Sequence, residues 1–354
     1  MNRIHNFLNR ASEGKGLTPE EVRHLLHGGS PDEWLEIYAR ARCFTEDRFQ
    51  KELHFFAPLY FSSFCINDCV YCGFQASNRL FKRRVLTEDE LLQEARFLWT
   101  KGHRTLLLIA GEHPVYSGVE QIASYVRALR RAGLDFSLMV EVGPLSVEDY
   151  RILHELGINH CLLFQETYNR DTYAQIHCGR KRDYDWRLKA MEPALAAGIE
   201  NVGLGILLGI GSWQEDLTDL IVHACEIRER YGRFPATFSF PRLRPSHGTA
   251  SFQGNAVSDE DFKKILAVSR LACPEAGIVL TTREAPDFRR ELLERGLGIT
   301  HMSAGSSTVP GGYTLKIQAD EEGQFDLADH RPLAEVAGEV QKLGYRPVFS
   351  ASVR

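Results

Sequence analysis

Between residues 54 and 304 the chain alternates short apolar runs with helical patterns, and nothing else in it constrains the fold as strongly. The runs are HFFAPLYFSSF (54–64), TLLLIAG (105–111), FSLMVEVG (136–143), HCLLFQE (160–166), NVGLGILLG (201–209), ATFSFPR (236–242), GIVLTT (277–282) and GITHMSA (298–304). Short, largely apolar segments of this kind suit strands buried in a parallel sheet. Helices are expected from the Thr87 cap through Trp99, over 120–131, from near Ser146, and over 185–197, 214–230, 257–271 and 286–295. Eight strands with helical crossovers match an α/β fold of the (β/α)8, TIM-type barrel class. An open doubly wound sheet gives the same strand signal, because closure leaves no mark in sequence.

The first fifty residues read as helices instead. Thr18 followed by Pro19, and Ser30 followed by Pro31, each place a capping side chain before a proline in the first turn. We therefore expect an N-terminal helical extension over 1–50, a barrel over 51–310, and a short C-terminal extension packed on it over 311–354. The formal net charge is -5, so nonspecific nucleic-acid binding is not expected. No apolar run approaches 18 residues and no secretory signal opens the chain, so the expectation is a cytoplasmic protein with no membrane partner.

Polar residues recur at the predicted carboxyl ends of the strands: Cys65, Glu112, Glu141, Glu166, Arg242, Arg283 and Ser303. In a closed barrel those ends converge on one mouth, so the repetition points to an enzyme. Of the eight cysteines, Cys65, Cys69 and Cys72 are clustered just after the first strand and the rest are scattered. Three soft thiols within eight residues suit zinc or an iron–sulfur cluster. Unligated burial and a noncatalytic cluster-binding protein are the alternatives.

The C-x3-C-x2-C spacing, with Tyr71 before the third cysteine, resembles the radical S-adenosylmethionine superfamily. Further segments resemble its aromatic amino acid lyases: Ala57-Pro58-Leu59-Tyr60, Gln165-Glu166-Thr167-Tyr168, Asp183-Tyr184-Asp185-Trp186-Arg187-Leu188, Phe240-Pro241-Arg242-Leu243-Arg244-Pro245, Thr281-Thr282-Arg283-Glu284 and Pro310-Gly311-Gly312-Tyr313. That group holds the thiazole-type tyrosine lyases (2-iminoacetate synthases), the tyrosine lyases of hydrogenase maturation and a tryptophan lyase. The resemblance implies one [4Fe–4S] cluster on Cys65, Cys69 and Cys72, with S-adenosylmethionine on its open iron. It implies an external one-electron reductant, flavodoxin or ferredoxin, a free amino acid substrate, and a thiazole synthase-type partner. The expected reaction is Cα–Cβ cleavage of L-tyrosine to dehydroglycine and p-cresol through a 5′-deoxyadenosyl radical. A tryptophan lyase-like activity, or cleavage of another amino acid, stays open.

Site roles follow from the same resemblance. Gly111 and Glu112 correspond to the segment for the methionyl amine, Glu141 to the ribose-binding acid, and Tyr71 to a position near adenine. Arg182 and Arg187 are candidate contacts to the cofactor carboxylate. Arg283 has the planar fork that a substrate carboxylate needs, and it resembles the group's carboxylate-binding arginine. Ser303 and Ser306 are candidates for the substrate head group, Tyr60 for its side, and Glu166 with Arg242 and Arg244 for a charged rim. A structural salt bridge, loop capping or core packing is the alternative for each. No cysteine follows Cys273, so the resemblance to the hydrogenase-maturing lyases does not extend to their second, C-terminal cluster. Carbon monoxide and cyanide production by their route is not expected.

Overall fold

A computed structural model describes residues 3–80, 82–249, 254–315, 317 and 323–349. The expected tail beyond 349, and the parts of the 311–354 extension at 316 and 318–322, lie outside the described residues. Three helices open the chain: α1 (Arg3–Ser12), α2 (Pro19–Gly28) and α3 (Pro31–Phe49). Thr18 and Ser30 each cap their helix, with Glu21 and Glu33 completing reciprocal capping boxes.

Eight parallel strands follow, β1 (Glu52–Ser62), β2 (Thr105–Ala110), β3 (Ser137–Glu141), β4 (His160–Leu162), β5 (Asn201–Gly205), β6 (Thr237–Ser239), β7 (Gly277–Leu280) and β8 (Ile299–Ser303). Neighbours pair in chain order. Strand β1 pairs with β2 from Ala57↔Leu106 to Ser62↔Ala110, and with β8 from His54↔His301 to Phe56↔Ser303. With both edges of β1 bonded the sheet is a closed barrel, and the open-sheet alternative falls away. A ninth strand, β9 (Arg346–Val348), which the sequence reading did not anticipate, adds parallel to the start of β1.

The helices α4 (Glu88–Thr100), α5 (Val119–Arg131) and α6 (Val147–Glu155) lie where the patterns put them. Then come α7 (Arg170–Ile176), α8 (Tyr184–Leu188) and α9 (Glu192–Ala196). The expected helix over 185–197 is thus two short pieces. Sequence reading also passed over α7, which buries only Tyr173 and Ile176 and so shows no amphipathic stripe. The outer ring is completed by α10 (Trp213–Tyr231), α11 (Asp259–Ala272), α12 (Pro286–Arg295) and α13 (Leu333–Lys342). Most strands are shorter than the apolar runs that announced them. Parallel bonds continue beyond the strand ends, as from Leu207 N to Glu166 O and Leu208 N to Pro241 O, and there Phe164, Leu207 and Pro241 border the barrel mouth.

A buried ion pair ties the C-terminal segment to the barrel. Arg289 on α12 and Asp329 are 0% exposed, and they bond directly while Arg289 Nη2 donates to Ser303 O at 2.6 Å. Removing one partner strands a buried charge, which costs about 3–5 kcal/mol. We expect Asp329→Ala to lower unfolding free energy by roughly that amount in denaturant titration. A loss below about 0.5 kcal/mol would mean that the pair does not hold this segment.

Candidate active site

The chain leaves β1 at Ser62 and crosses the barrel mouth as the cysteine loop. Neighbouring segments fix that loop through its backbone. Ile66 N donates to Glu112 O at 2.8 Å, Asp68 N to Cys178 O at 3.2 Å, and Val70 N to Ile176 O at 3.2 Å. Asn67, 1% exposed, sits at the centre: its Nδ2 donates to Glu112 Oε2 at 2.6 Å, and its Oδ1 accepts from Lys181 N at 2.9 Å. Gly111 makes the approach possible, because a Cβ there would stand 2.5 Å from Phe64 O. The glycine therefore serves first to let the loop pass over the end of β2.

Cys65, Cys69 and Cys72 line one cavity of about 90 Å3, together with Tyr71, Gly111, Glu112, Glu141, Glu166, Lys181 and Arg187. Burial raises all three thiols above their ordinary pKa, Cys72 to about 11. Such thiols are neutral by themselves and become thiolates when a metal supplies the opposing charge. Among the described residues no three His, Cys, Asp or Glu side chains converge on a point that one ion could occupy. Three soft thiols bordering one void have the chemistry to hold iron or zinc. The other cysteines, Cys43, Cys161, Cys178, Cys225 and Cys273, are free and form no further metal-holding group among the described residues.

Two buried ion pairs border this cavity. Arg187 bonds Glu112 and donates from Nε to Phe164 O at 2.9 Å. Burial alone would raise the Glu112 carboxyl, but Arg187 and Lys181 outweigh it and hold the carboxyl below its ordinary value. Lys181 Nζ reaches Glu166 Oε1 at 2.7 Å and Tyr71 Oη at 3.3 Å, and Tyr71 Oη meets His177 Nε2 at 2.8 Å. Glu166 has φ +73°, a left-handed conformation that costs of order 1 kcal/mol or more for a side chain with a Cβ. Glu141 forms no ion pair among the described residues. Burial, then the nearby Glu166 charge, raise its carboxyl to about 7.

Beside the cysteine cavity lies a second one of about 120 Å3. Tyr71, Cys72, Glu141, Glu166 and Gln324 line both. The second is otherwise mostly apolar, with Phe56, Leu107, Leu162, Phe164, Leu207 and Val279, and it also takes Tyr60, Arg283, Ser303 and Ser306. Arg283 is packed over the Phe325 ring, 3.3 Å from its centroid, and donates to Arg242 O at 3.3 Å. Among the described residues no carboxylate pairs with it, and burial lowers its pKa. The buried Ser306 Oγ has no hydrogen-bond partner either. Ser303 Oγ accepts from Thr282 N at 3.1 Å, which leaves its proton free. Tyr60 Oη donates to Gln324 Oε1 at 2.7 Å.

Not every candidate comes together. Arg242 lies outside both cavities, held by Glu284 and by Asp259 Oδ1 at 2.7 Å. Arg182 is exposed and lines neither cavity, while Lys181 beside it faces inward. Sequence reading also missed Asn67 and Gln324. Asn67 had a signal, standing inside the cysteine motif; Gln324 had none, since it follows a polar stretch without periodicity.

A barrel whose mouth carries three loop cysteines beside buried acids has the architecture of a radical S-adenosylmethionine enzyme. The Radical SAM superfamily profile matches residues 59–223, and that of the Biotin and Thiamin Synthesis associated domain matches 239–346. The 2-iminoacetate synthase of Salmonella typhimurium is 35% identical over 96% of this chain and 89% of its own. A crystal structure of HydG, a maturase of the [FeFe]-hydrogenase, superposes with a TM-score of 0.93 at 37% identity, over 99% of this chain and 76% of that one. HydG from Carboxydothermus hydrogenoformans gives 0.89 at 34%, over 99% and 80%. The chain belongs to the radical S-adenosylmethionine superfamily, within the family that includes 2-iminoacetate synthase and HydG. Membership implies S-adenosylmethionine and a [4Fe–4S] cluster as cofactors.

The raised carboxyl of Glu141 has a consequence for stability. Its pKa is about 7 folded against 4.5 as the reference, so the folded state binds the proton more tightly. This group's contribution to stability then falls as pH rises from about 4.5 to 7, and the full penalty stands above 7. Glu141→Gln removes that penalty. Before cluster reconstitution, we expect the variant to be more stable than the parent at pH 8 by about 1–3 kcal/mol, with the gap closing towards pH 4.5. A gap independent of pH would contradict the assignment.

Proposed function

We infer that this chain is a radical S-adenosylmethionine carbon–carbon lyase that cleaves the Cα–Cβ bond of L-tyrosine to 2-iminoacetate (dehydroglycine) and p-cresol. The hydrogen atom taken from the amine leaves in 5′-deoxyadenosine, and p-cresol forms with one electron from the external reductant and a proton in its place. The observation that carries the reading is Arg283, a part-buried guanidinium with no carboxylate partner among the described residues, in an apolar cavity that adjoins the three thiols. A free amino acid brings the missing carboxylate and an apolar side chain together. The similarity to 2-iminoacetate synthase and HydG supports the same activity.

Cys65, Cys69 and Cys72 are the proposed ligands of one [4Fe–4S] cluster. A cluster held there with S-adenosylmethionine would supply a 5′-deoxyadenosyl radical able to take a hydrogen atom from the substrate amine. The residues of this chain bind and orient. Glu112, with Gly111, would accept the cofactor's ammonium, and Arg187 in turn holds Glu112. Glu141, lining both cavities, suits ribose hydroxyls, and Tyr71 suits a flank of the adenosyl group. Arg283 forks onto the substrate carboxylate, with Ser306 and Ser303 donating hydrogen bonds beside it. Tyr60 and Gln324 close the wall between the two cavities and keep water from the reacting atoms. Glu166 holds Lys181 in place. Such positioning is worth several kcal/mol of barrier.

The reading also asks for an external one-electron reductant of the flavodoxin or ferredoxin class, and for a thiazole synthase-type partner to take the unstable imine. We place the enzyme in the cytoplasm. We divide the chain into the 1–50 helical extension, the 51–310 barrel and the 311–354 extension.

Two variants test the reading. Arg283→Lys keeps the charge and loses the fork. Cluster content and uncoupled cofactor cleavage should persist, with p-cresol formation from tyrosine reduced roughly 10–100-fold. Unchanged turnover would remove Arg283 from this role. Any of Cys65→Ala, Cys69→Ala or Cys72→Ala should abolish reductive cofactor cleavage, with iron per chain falling well below the four expected of the parent. A variant that keeps its iron would break the ligand assignment.

A further inference from the structure

The strand register shows where the substrate cavity ends. On six strands, the inward residue two positions before a cavity residue belongs to a separate cavity at the opposite mouth. These pairs are His54 before Phe56, Thr105 before Leu107, His160 before Leu162, Thr237 before Ser239, Gly277 before Val279, and His301 before Ser303. Phe56, Leu107, Leu162, Ser239, Val279 and Ser303 therefore form the floor of the substrate cavity. Four of the six are hydrocarbon.

Ser303, which accepts from Thr282 N, is one exception, and Ser239 is the other. It ends β6, pairs with Gly205 on one side and Val279 on the other, and is 2% exposed. Its hydroxyl makes no hydrogen bond to any described residue. Other hydroxyls around the cavity are engaged: Tyr60 with Gln324, Tyr71 with His177, Ser307 with Val309 and Thr308 with Phe325, while Ser303 accepts from Thr282 N and keeps its proton free at the carboxylate end. Ser306 and Thr282 flank the Arg283 end. Unlike the Ser306 oxygen, the Ser239 oxygen is open to the cavity, so a ligand that displaces water from it must offer a hydrogen bond in exchange. Gly205 beside it adds no side chain that would fill the space, since a Cβ there would lie 2.7 Å from both the Phe164 ring and Ser239 O.

We propose that Ser239 is the specificity-determining residue for the aromatic end of the substrate: its hydroxyl hydrogen-bonds the phenol oxygen of tyrosine when the carboxylate is on Arg283. This rests on the tyrosine-lyase reading above and extends it. The ring lies among Phe56, Leu107, Leu162 and Val279, and its para position meets the floor hydroxyl that makes no hydrogen bond within the described protein. Phenylalanine fits the same space and leaves Ser239 unpaired. A site that hydrogen-bonds a substrate hydroxyl rejects the analogue without it far more strongly than an apolar pocket discriminates by size.

Equilibrium binding of tyrosine and phenylalanine to the anaerobic, cluster-loaded protein with S-adenosylmethionine tests this, using the parent, Ser239→Ala and Ser239→Thr. The parent should prefer tyrosine by roughly 100-fold or more. Ser239→Ala should weaken tyrosine about 10–100-fold, leave phenylalanine within about twofold, and retain the parent's cluster absorbance. Ser239→Thr, which restores a hydroxyl, should recover at least part of the preference. If the parent binds tyrosine selectively and Ser239→Ala does so equally well, the Ser239 assignment is wrong while the lyase reading stands. If the parent binds no tyrosine, it is the lyase reading that fails.

Discussion

The hydrogen bonds that join β1 to β2 on one edge and to β8 on the other are the constraint on which the site depends. Strand β1 is the element that delivers the cysteine loop, and β8 delivers Ser303 directly opposite Phe56. Closing the sheet at this seam brings the start and the end of the barrel into one mouth. Residues more than two hundred positions apart, such as Cys72 and Arg283, then line a single cavity. An open sheet of the same strands would leave Cys72 and Ser303 on opposite edges, and no void would be enclosed.

Inside the mouth the charges are arranged unevenly, and the unevenness carries the chemistry. Glu112 with Arg187 and Glu166 with Lys181 are closed pairs, so they lend rigidity and ask little of a ligand. Glu141 and Arg283 have no such partners among the described residues, and burial opposes the charge of each. A buried group left in this state favours a ligand of opposite or hydrogen-bonding character. The two lie on the shared boundary and in the substrate cavity respectively, which orders the site from cofactor to substrate. The left-handed backbone at Glu166 is part of the same arrangement, since it sits where the carboxylate must meet Lys181.

Much of this was legible in the residues. Eight buried-strand signals, the caps at Thr18, Ser30, Thr87 and Ser146, and the cysteine spacing are local features, and local features survive in sequence. What failed to show was the consequence of tertiary placement. Arg242 and Arg283 both follow a strand and look alike in sequence; only the fold gives Glu284 to the first and leaves the second unpaired. Arg182 and Lys181 are adjacent, and a one-residue turn decides which is buried. Gln324 reaches the site across the barrel mouth, from a segment with no periodic signal. Barrel closure itself is a pairing between residues 54 and 301, which no window of sequence contains.

The central claim is that a tyrosine held by its carboxylate in this cavity is cut between Cα and Cβ. It is tested most directly by product identity. The anaerobically reconstituted protein, given S-adenosylmethionine and a one-electron reductant, is offered tyrosine and tryptophan in parallel, and all products are identified by mass spectrometry. The account predicts p-cresol and a glyoxylate-level product from tyrosine, in equal amounts, and no cleavage of tryptophan. A methylindole carboxylate from tryptophan with tyrosine left intact would contradict it.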